Sequence, residues 1–259
     1  MIESVLKPHE QEVMERVILA EEAKRHHVVI ALSGAHAYGF PSPDSDLDLK
    51  SIHIDPTAVL LGLGHGTPHA DRMETIGGVE IDYTSNEIKP VLLGILQGNG
   101  NYIERVLGAL LPHRAPELEE LKPLVQNTLS RRLFRHYLGF ATSQLKAAQA
   151  PEGTSAKKLL YVLRTALTGT HALLTGRIVI DLRELIDEHG FSEARELIEA
   201  KRAGETIKLA PEAATRWARD VVRAFGVLEQ AHERSALPVE PSGVAELEAW
   251  LLAERRKRM

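Results

Sequence analysis

The sequence contains no cysteine. That excludes disulfides and thiolate metal ligands, and it fits a reducing compartment, so a cytoplasmic location is expected. Nor is there a run approaching the roughly 18 apolar residues that a membrane span requires, so no membrane partner is expected. The opening stretch MIESVLKPHEQEVMER has no basic start followed by an apolar core, so no secretory leader is expected. Internal repeats and low-complexity segments are missing as well. What is present is an ordinary globular composition, 44% hydrophobic and 26% charged over 259 residues, enough for one large domain or two modest ones.

The net charge of −5 is unevenly spread. Residues 1–112 carry 8 Lys+Arg against 16 Asp+Glu, and the remainder carries 23 against 20. Between Arg131 and Arg177 there are eight basic residues and one acid, Glu152. An acidic first part and a basic later stretch suggest a cation site in one and a polyanion-facing surface in the other.

Apolar spacing predicts a helix over 8–27, with His26 and His27 as capping or surface residues at its end. The β-branched run Val28–Leu32 reads as a buried strand, and Leu47–Ile54 alternates with period two as a second. Residues 39–45 form a turn-rich loop, Asp55-Pro56 opens a short helix, and 62–71 is a Gly- and His-rich loop. Thr75-Ile76 and Val79–Tyr83 are further strands. From Ser85, read as a helix cap, the pattern is helical throughout: to Gly98, then 101–111, 117–128, 130–149, 154–175, 181–189, 192–203, 210–234 and 243–257. Strands first and helices afterwards indicate an α+β domain followed by a helical one, divided near Pro112–Pro116.

The chemistry concentrates in Leu32-Ser33-Gly34-Ala35-His36-Ala37-Tyr38-Gly39 and the following Pro43-Asp44-Ser45-Asp46-Leu47-Asp48. Residues i and i+2 of a strand share a face, so Asp46 and Asp48 project side by side. Two carboxylates that close repel unless a cation lies between them, and an all-oxygen set suits Mg²⁺ or Mn²⁺. Asp82 on a later strand is a third candidate ligand, with Glu80 its competitor; three such carboxylates can hold two ions. Surface acids on a strand edge are the plainer alternative. Gly34 lets backbone N–H groups approach a phosphate without a Cβ in the way, and Ser33 offers a hydroxyl. For His36 phosphate contact and loop packing both stand. Asp44 reads as a turn residue.

These residues resemble the nucleotidyltransferase superfamily typified by DNA polymerase beta, with its glycine-serine turn followed by Asp-x-Asp. They are more similar to the bacterial RNA repair pathway DNA polymerase beta family, in Gly34–Gly39, Pro43–Asp48, Glu80–Tyr83, Leu96–Glu104 and Lys157–Arg177. The chain departs from that pattern at Ala35, where the family has serine, and at Gly100, where it often has proline. The resemblance implies a polymerase-beta-like catalytic domain at 1–113, with a mixed sheet and flanking helices, and a helical domain at 114–259. It also implies Mg²⁺- or Mn²⁺-dependent transfer of a nucleoside monophosphate from a nucleoside triphosphate to a hydroxyl, foremost the 3′ end of RNA. Other acceptors, a protein or a small molecule, stay open, as does a non-catalytic nucleotide- or RNA-binding module.

Lys157, Tyr161, Arg164 and Thr168 recur at helical spacing along one face. They are either a solvated stripe or a clamp for triphosphate and RNA, in which Tyr161 stacks on a base. Arg131, Arg132 and Arg135 are candidates for following an RNA backbone. Asn99, Asn101 and Glu104 read as a turn and helix cap. His65 and His69 are separated by Gly and Pro, which disfavours a zinc site. Arg255–Arg258 read as a frayed, solvated terminus rather than an RNA grip.

Overall fold

In the computed structural model, residues 2–149, 155–202, 204 and 211–259 are described, without the side chains of 3, 211 and 214. Glu152 and the expected helix ends at 154, 203 and 210 lie outside them. The chain forms two compact units. The first takes in residues up to His36, Asp46–Leu129 and Pro241–Met259; the second takes in Ala37–Ser45 and Ser130–Glu240. Compared with a division at 113/114, the first unit gains a helix after the sheet and the C-terminal helix, and the second gains the loop 37–45.

The first unit is built on a five-stranded mixed sheet in the order β3-β4-β2-β1-β5. Its strands are β1 (His26–Leu32), β2 (Leu47–Ile54), β3 (His69–Ile76), β4 (Val79–Glu87) and β5 (His113–Arg114). β2 runs parallel to β4, while β1–β2, β1–β5 and β3–β4 are antiparallel. Val28 to Leu32 are all buried, as an apolar run in a central strand must be. β3 is longer than the expected Thr75-Ile76. Its polar sequence HADRMETI lacks a buried face, and it exists because β4 supplies a full ladder of partners at the sheet edge.

Helices α1 (Pro8–Glu22), α2 (Gly34–Ala37), α3 (Thr57–Leu61), α4 (Ile88–Leu96), α5 (Gly100–Leu107) and α6 (Pro116–Asn127) complete the chain as far as residue 129. Ser85 is not a cap: it lies in β4 with its hydroxyl 2.6 Å from His53 Nδ1, and α4 begins after Glu87, whose carboxylate accepts from Lys89 N at 2.8 Å. Asn99 does cap α5, accepting from Asn101 N at 3.1 Å. The histidines also part ways. His26 faces Glu117 at 3.0 Å, whereas His27 is buried in β1 with Nε2 2.6 Å from the Tyr83 hydroxyl. Burial, then the charge of Arg25, pushes His27 down to about 3, so the ring is neutral at physiological pH.

The C-terminal helix, α12 (Val244–Lys257), is docked rather than frayed. Arg255 donates to Asp55 O at 3.0 Å and pairs with buried Glu87. Arg258 pairs with Glu117 and Glu254, and its carbonyl accepts from Thr57 N at 2.9 Å. Buried charges must be paired, so these arginines hold the helix against the sheet unit. Arg255→Ala leaves Glu87 uncompensated and is expected to lower the unfolding free energy by about 2–3 kcal/mol. A urea midpoint equal to that of the wild type would contradict the docking.

The second unit is helical: α7 (Leu133–Ala148), α8 (Ala156–Thr175), α9 (Leu182–Glu188), α10 (Arg195–Arg202) and α11 (Pro211–Arg234). α8 is its axis, packed by α7, α9, α10 and α11, and fifteen of its twenty residues are buried. Arg164 and Thr168 are among them, which overturns the solvated stripe for those two positions. Among the described residues no helix is long and apolar enough to cross a membrane.

Candidate active site

Two adjacent parallel strands position the carboxylates of the first unit. The register pairs Asp48 of β2 with Asp82 of β4, so the two side chains stand beside each other on one face of the sheet. Asp46 directly precedes β2. Glu80 is exposed and Asp82 half-buried, and Asp82 is the one opposite Asp48. Lys50, two residues beyond Asp48 on the same face, places its ammonium 2.7 Å from Asp82 Oδ2 and 3.5 Å from Asp48 Oδ1. Sequence reasoning missed Lys50, although the same alternation that pairs 46 with 48 reaches position 50.

Burial pushes the Asp48 carboxyl up to about 7, the charges of Asp46 and Asp82 push the same way, and Lys50 partly offsets them. Negative charge therefore accumulates here at an energetic cost that a cation relieves. The donors are all oxygen, the type a hard divalent ion takes, but Asp46, Asp48 and Asp82 do not bring one oxygen each within 4.8 Å of one another, and the Lys50 ammonium stands between Asp48 and Asp82.

Gly34 closes the site from the end of β1. Its φ is +63°, and a Cβ at this position would lie 1.7 Å from Asp48 Oδ2. The backbone thus passes directly against the carboxylate, which only glycine permits. Ser33 N donates to Asp48 O at 2.9 Å, fixing that approach. His36 is buried in α2, directly after the Gly34 turn.

The other candidate residues belong to the second unit. Arg164 is buried with its guanidinium 3.9 Å from the centre of the Tyr38 ring. Tyr161 meets Tyr38 and Phe40 edge-on, with ring centres 5.9 and 5.5 Å away. Both residues therefore hold the loop 37–45 onto α8. Fully buried Lys201 of α10 donates to Ser42 Oγ at 2.9 Å and Ser45 Oγ at 3.1 Å, anchoring the turn that leads into Asp46. Asp44 lies in that turn. A hydrogen bond from Ser42 holds its carboxyl below the ordinary value, with the charges of Lys201 and Lys157 adding to the effect. Arg131 is used internally, donating to the carbonyls of Leu237 at 3.2 Å and Ser235 at 2.6 Å. Arg132 pairs with Glu240, and Arg135 is exposed. Among the described residues, neither His65 nor His69 joins a cluster suited to a metal ion.

An uncharacterized protein of Methanocaldococcus jannaschii is 26% identical over 226 residues, spanning 86% of this chain and 91% of its own. An uncharacterized protein of Bacillus subtilis is 24% identical over 208 residues, spanning 77% and 79%. A solved nucleotidyltransferase-like protein from Exiguobacterium sibiricum aligns over 94% of this chain and 79% of its own at 15% identity, with a TM-score of 0.33. The sequence profile of a nucleotidyltransferase-like family of the polymerase beta type matches residues 7–253, and the chain belongs to that family, the RNA repair pathway DNA polymerase beta family.

Proposed function

We propose that the protein transfers a nucleoside monophosphate from a nucleoside triphosphate to a hydroxyl acceptor, foremost the 3′ end of RNA. The observation that carries this reading is the in-register pair Asp48 and Asp82 with the Lys50 ammonium between them. Asp46, Asp48 and Asp82 are the residues that would hold Mg²⁺ or Mn²⁺. Bound there, divalent ions lower the pKa of the attacking hydroxyl and neutralise triphosphate charge. In the transfer the acceptor oxygen forms a bond to the α-phosphorus, the bond from the α-phosphorus to its bridging oxygen breaks, and pyrophosphate leaves. The hydroxyl proton passes to solvent.

The chain's own contribution is electrostatic and positional. Lys50 neutralises the carboxylates before loading and yields them to a stronger charge. Gly34 keeps the backbone N–H groups open to a phosphate beside Asp48. Lys157, Arg135 and the lysines near them supply the positive charge that RNA binding requires. The family's place in RNA repair supports an RNA acceptor.

The test supplies the full chain with Mg²⁺ or Mn²⁺, each α-labelled triphosphate in turn, and a short RNA bearing a 3′-hydroxyl. Label is expected in the RNA and is expected to be absent when the RNA ends in a 3′-deoxy residue. Label appearing in protein or in a small molecule would replace the RNA acceptor. If none of the triphosphates donates label to any acceptor, the transferase reading falls.

A further inference from the structure

The helical unit contains a second group of donors that nucleotidyl transfer does not use. His171 lies on the last turns of α8, Glu188 is the last residue of α9, and His189 caps that helix. One ligand atom from each lies within 4.8 Å of the others. His171 is 3% exposed, and neither of its ring nitrogens has a hydrogen-bond partner. Its Nδ1 stands 3.1 Å from Glu188 Oε1, but at an angle that forms no hydrogen bond. His189 Nε2 is buried without a partner as well, and the two rings meet edge to face with centres 5.7 Å apart.

A buried nitrogen left without a partner is costly, and two neighbouring imidazoles in that state call for a common partner. Neutral imidazole nitrogens are lone-pair donors, and Glu188, with its side chain 51% exposed, brings a negative charge to the solvent side. The geometry points to a site for one borderline transition-metal ion, Zn²⁺ by ligand type, held by His171, Glu188 and His189. Two histidines and a carboxylate suit Zn²⁺, Co²⁺ or Ni²⁺ and are a poor match for Mg²⁺.

Local structure prepares the site. Gly190 has a φ of +74°, which ends α9 just after His189, and His189 N still donates to Leu185 O at 3.0 Å. The backbone of the cap is therefore held, while Glu188 and the His189 ring, both reached by solvent, turn inward to close the spacing around an ion. His171 on the buried axis is the fixed ligand. A metal here ties the end of α8 to the end of α9 and leaves a fourth position open to water. It is a site separate in its residues and its ligand chemistry from Asp46, Asp48 and Asp82.

The test uses the full chain, stripped of metal and then supplied with millimolar Mg²⁺ to saturate the carboxylates before titration with Co²⁺. One equivalent is expected to produce the visible absorption of tetrahedral Co²⁺, and Zn²⁺ is expected to displace it. Glu188→Gln and His189→Gln, at solvent-reached positions that leave the core intact, are expected to weaken binding at least about tenfold. Circular dichroism confirms their folding, and Zn²⁺ is expected to raise the melting temperature of the wild type but of neither variant. The Asp46→Asn/Asp48→Asn protein is expected to bind Co²⁺ as the wild type does. Absence of the absorption, its persistence in both Gln variants, or its loss in the Asn protein would overturn the assignment.

Discussion

Asp48→Asn is expected to lower metal-dependent nucleotidyl transfer by at least about a thousandfold while making the metal-free protein more stable at neutral pH. The two effects share one cause. Asp48 sits with its side chain only 13% exposed beside Asp46 and Asp82, and burial together with those charges raises its carboxyl to about 7 from an ordinary value of 3.8. Asparagine keeps the shape and removes the charge, so the repulsion disappears along with the ligand.

The sign follows from proton linkage. Between the ordinary value of 3.8 and about 7, the folded protein holds a proton on Asp48 that the unfolded chain has released. Stability contributed by that proton is therefore lost as pH rises through this window. The loss is complete above it, where Asp48 is ionised in both states. The melting temperature of the metal-free wild type should fall relative to Asp48→Asn as pH is raised from 4 towards 8. Saturating Mg²⁺ should reverse the difference in the wild type alone. A variant that retains transfer removes Asp48 from the machinery. A melting-temperature difference that stays constant with pH would show that its carboxyl is not held protonated by the fold.

Gly34→Ala is expected to be nearly as damaging to activity, at about a hundredfold or more, with a smaller effect on stability. An alanine at φ +63° costs about 1–2 kcal/mol in backbone strain. Its methyl would then lie 1.7 Å from Asp48 Oδ2 and 2.6 Å from Cγ, so the carboxylate has to rotate away. Because the displaced atom ends a side chain, the fold can accommodate the change; because it is a proposed ligand, function cannot. The measurement is transfer rate against metal concentration, alongside a urea titration. Loss of activity is expected with the protein still folded, and wild-type transfer by the alanine protein would contradict the close approach.

Much of this site was legible in the residues themselves. Period-two alternation predicts Asp46 and Asp48 on one face without any knowledge of the fold, and the same alternation extends to Lys50. A glycine ending a buried run signals close backbone approach. Alternation along β4 gave no means of choosing between Asp82 and Glu80, because both point the same way. Only the register with β2 puts Asp82 opposite Asp48 and leaves Glu80 in solvent. Arg164 illustrates the reverse difficulty. At helical spacing with Lys157 and Tyr161 it suggested a polar face, but α8 is surrounded by four helices and Arg164 is buried against Tyr38.

By itself the sequence determined the α+β start with its helical continuation and the family, and it singled out Asp46 and Asp48 as candidates, because those depend on local periodicity and on motifs a few residues long. The tertiary structure alone decided which acid of β4 lies opposite Asp48, where Lys50 points, that α6 and α12 join the sheet unit, and that the terminal arginines are paired. It alone brings His171 to Glu188 and His189, across a stretch of chain whose spacing suggests nothing. These depend on long-range packing, where burial of apolar area sets the positions and the polar groups must then find partners where they land. The cysteine-free composition that excluded thiolate ligands leaves oxygen donors for one proposed cation site and imidazoles with a carboxylate for the other.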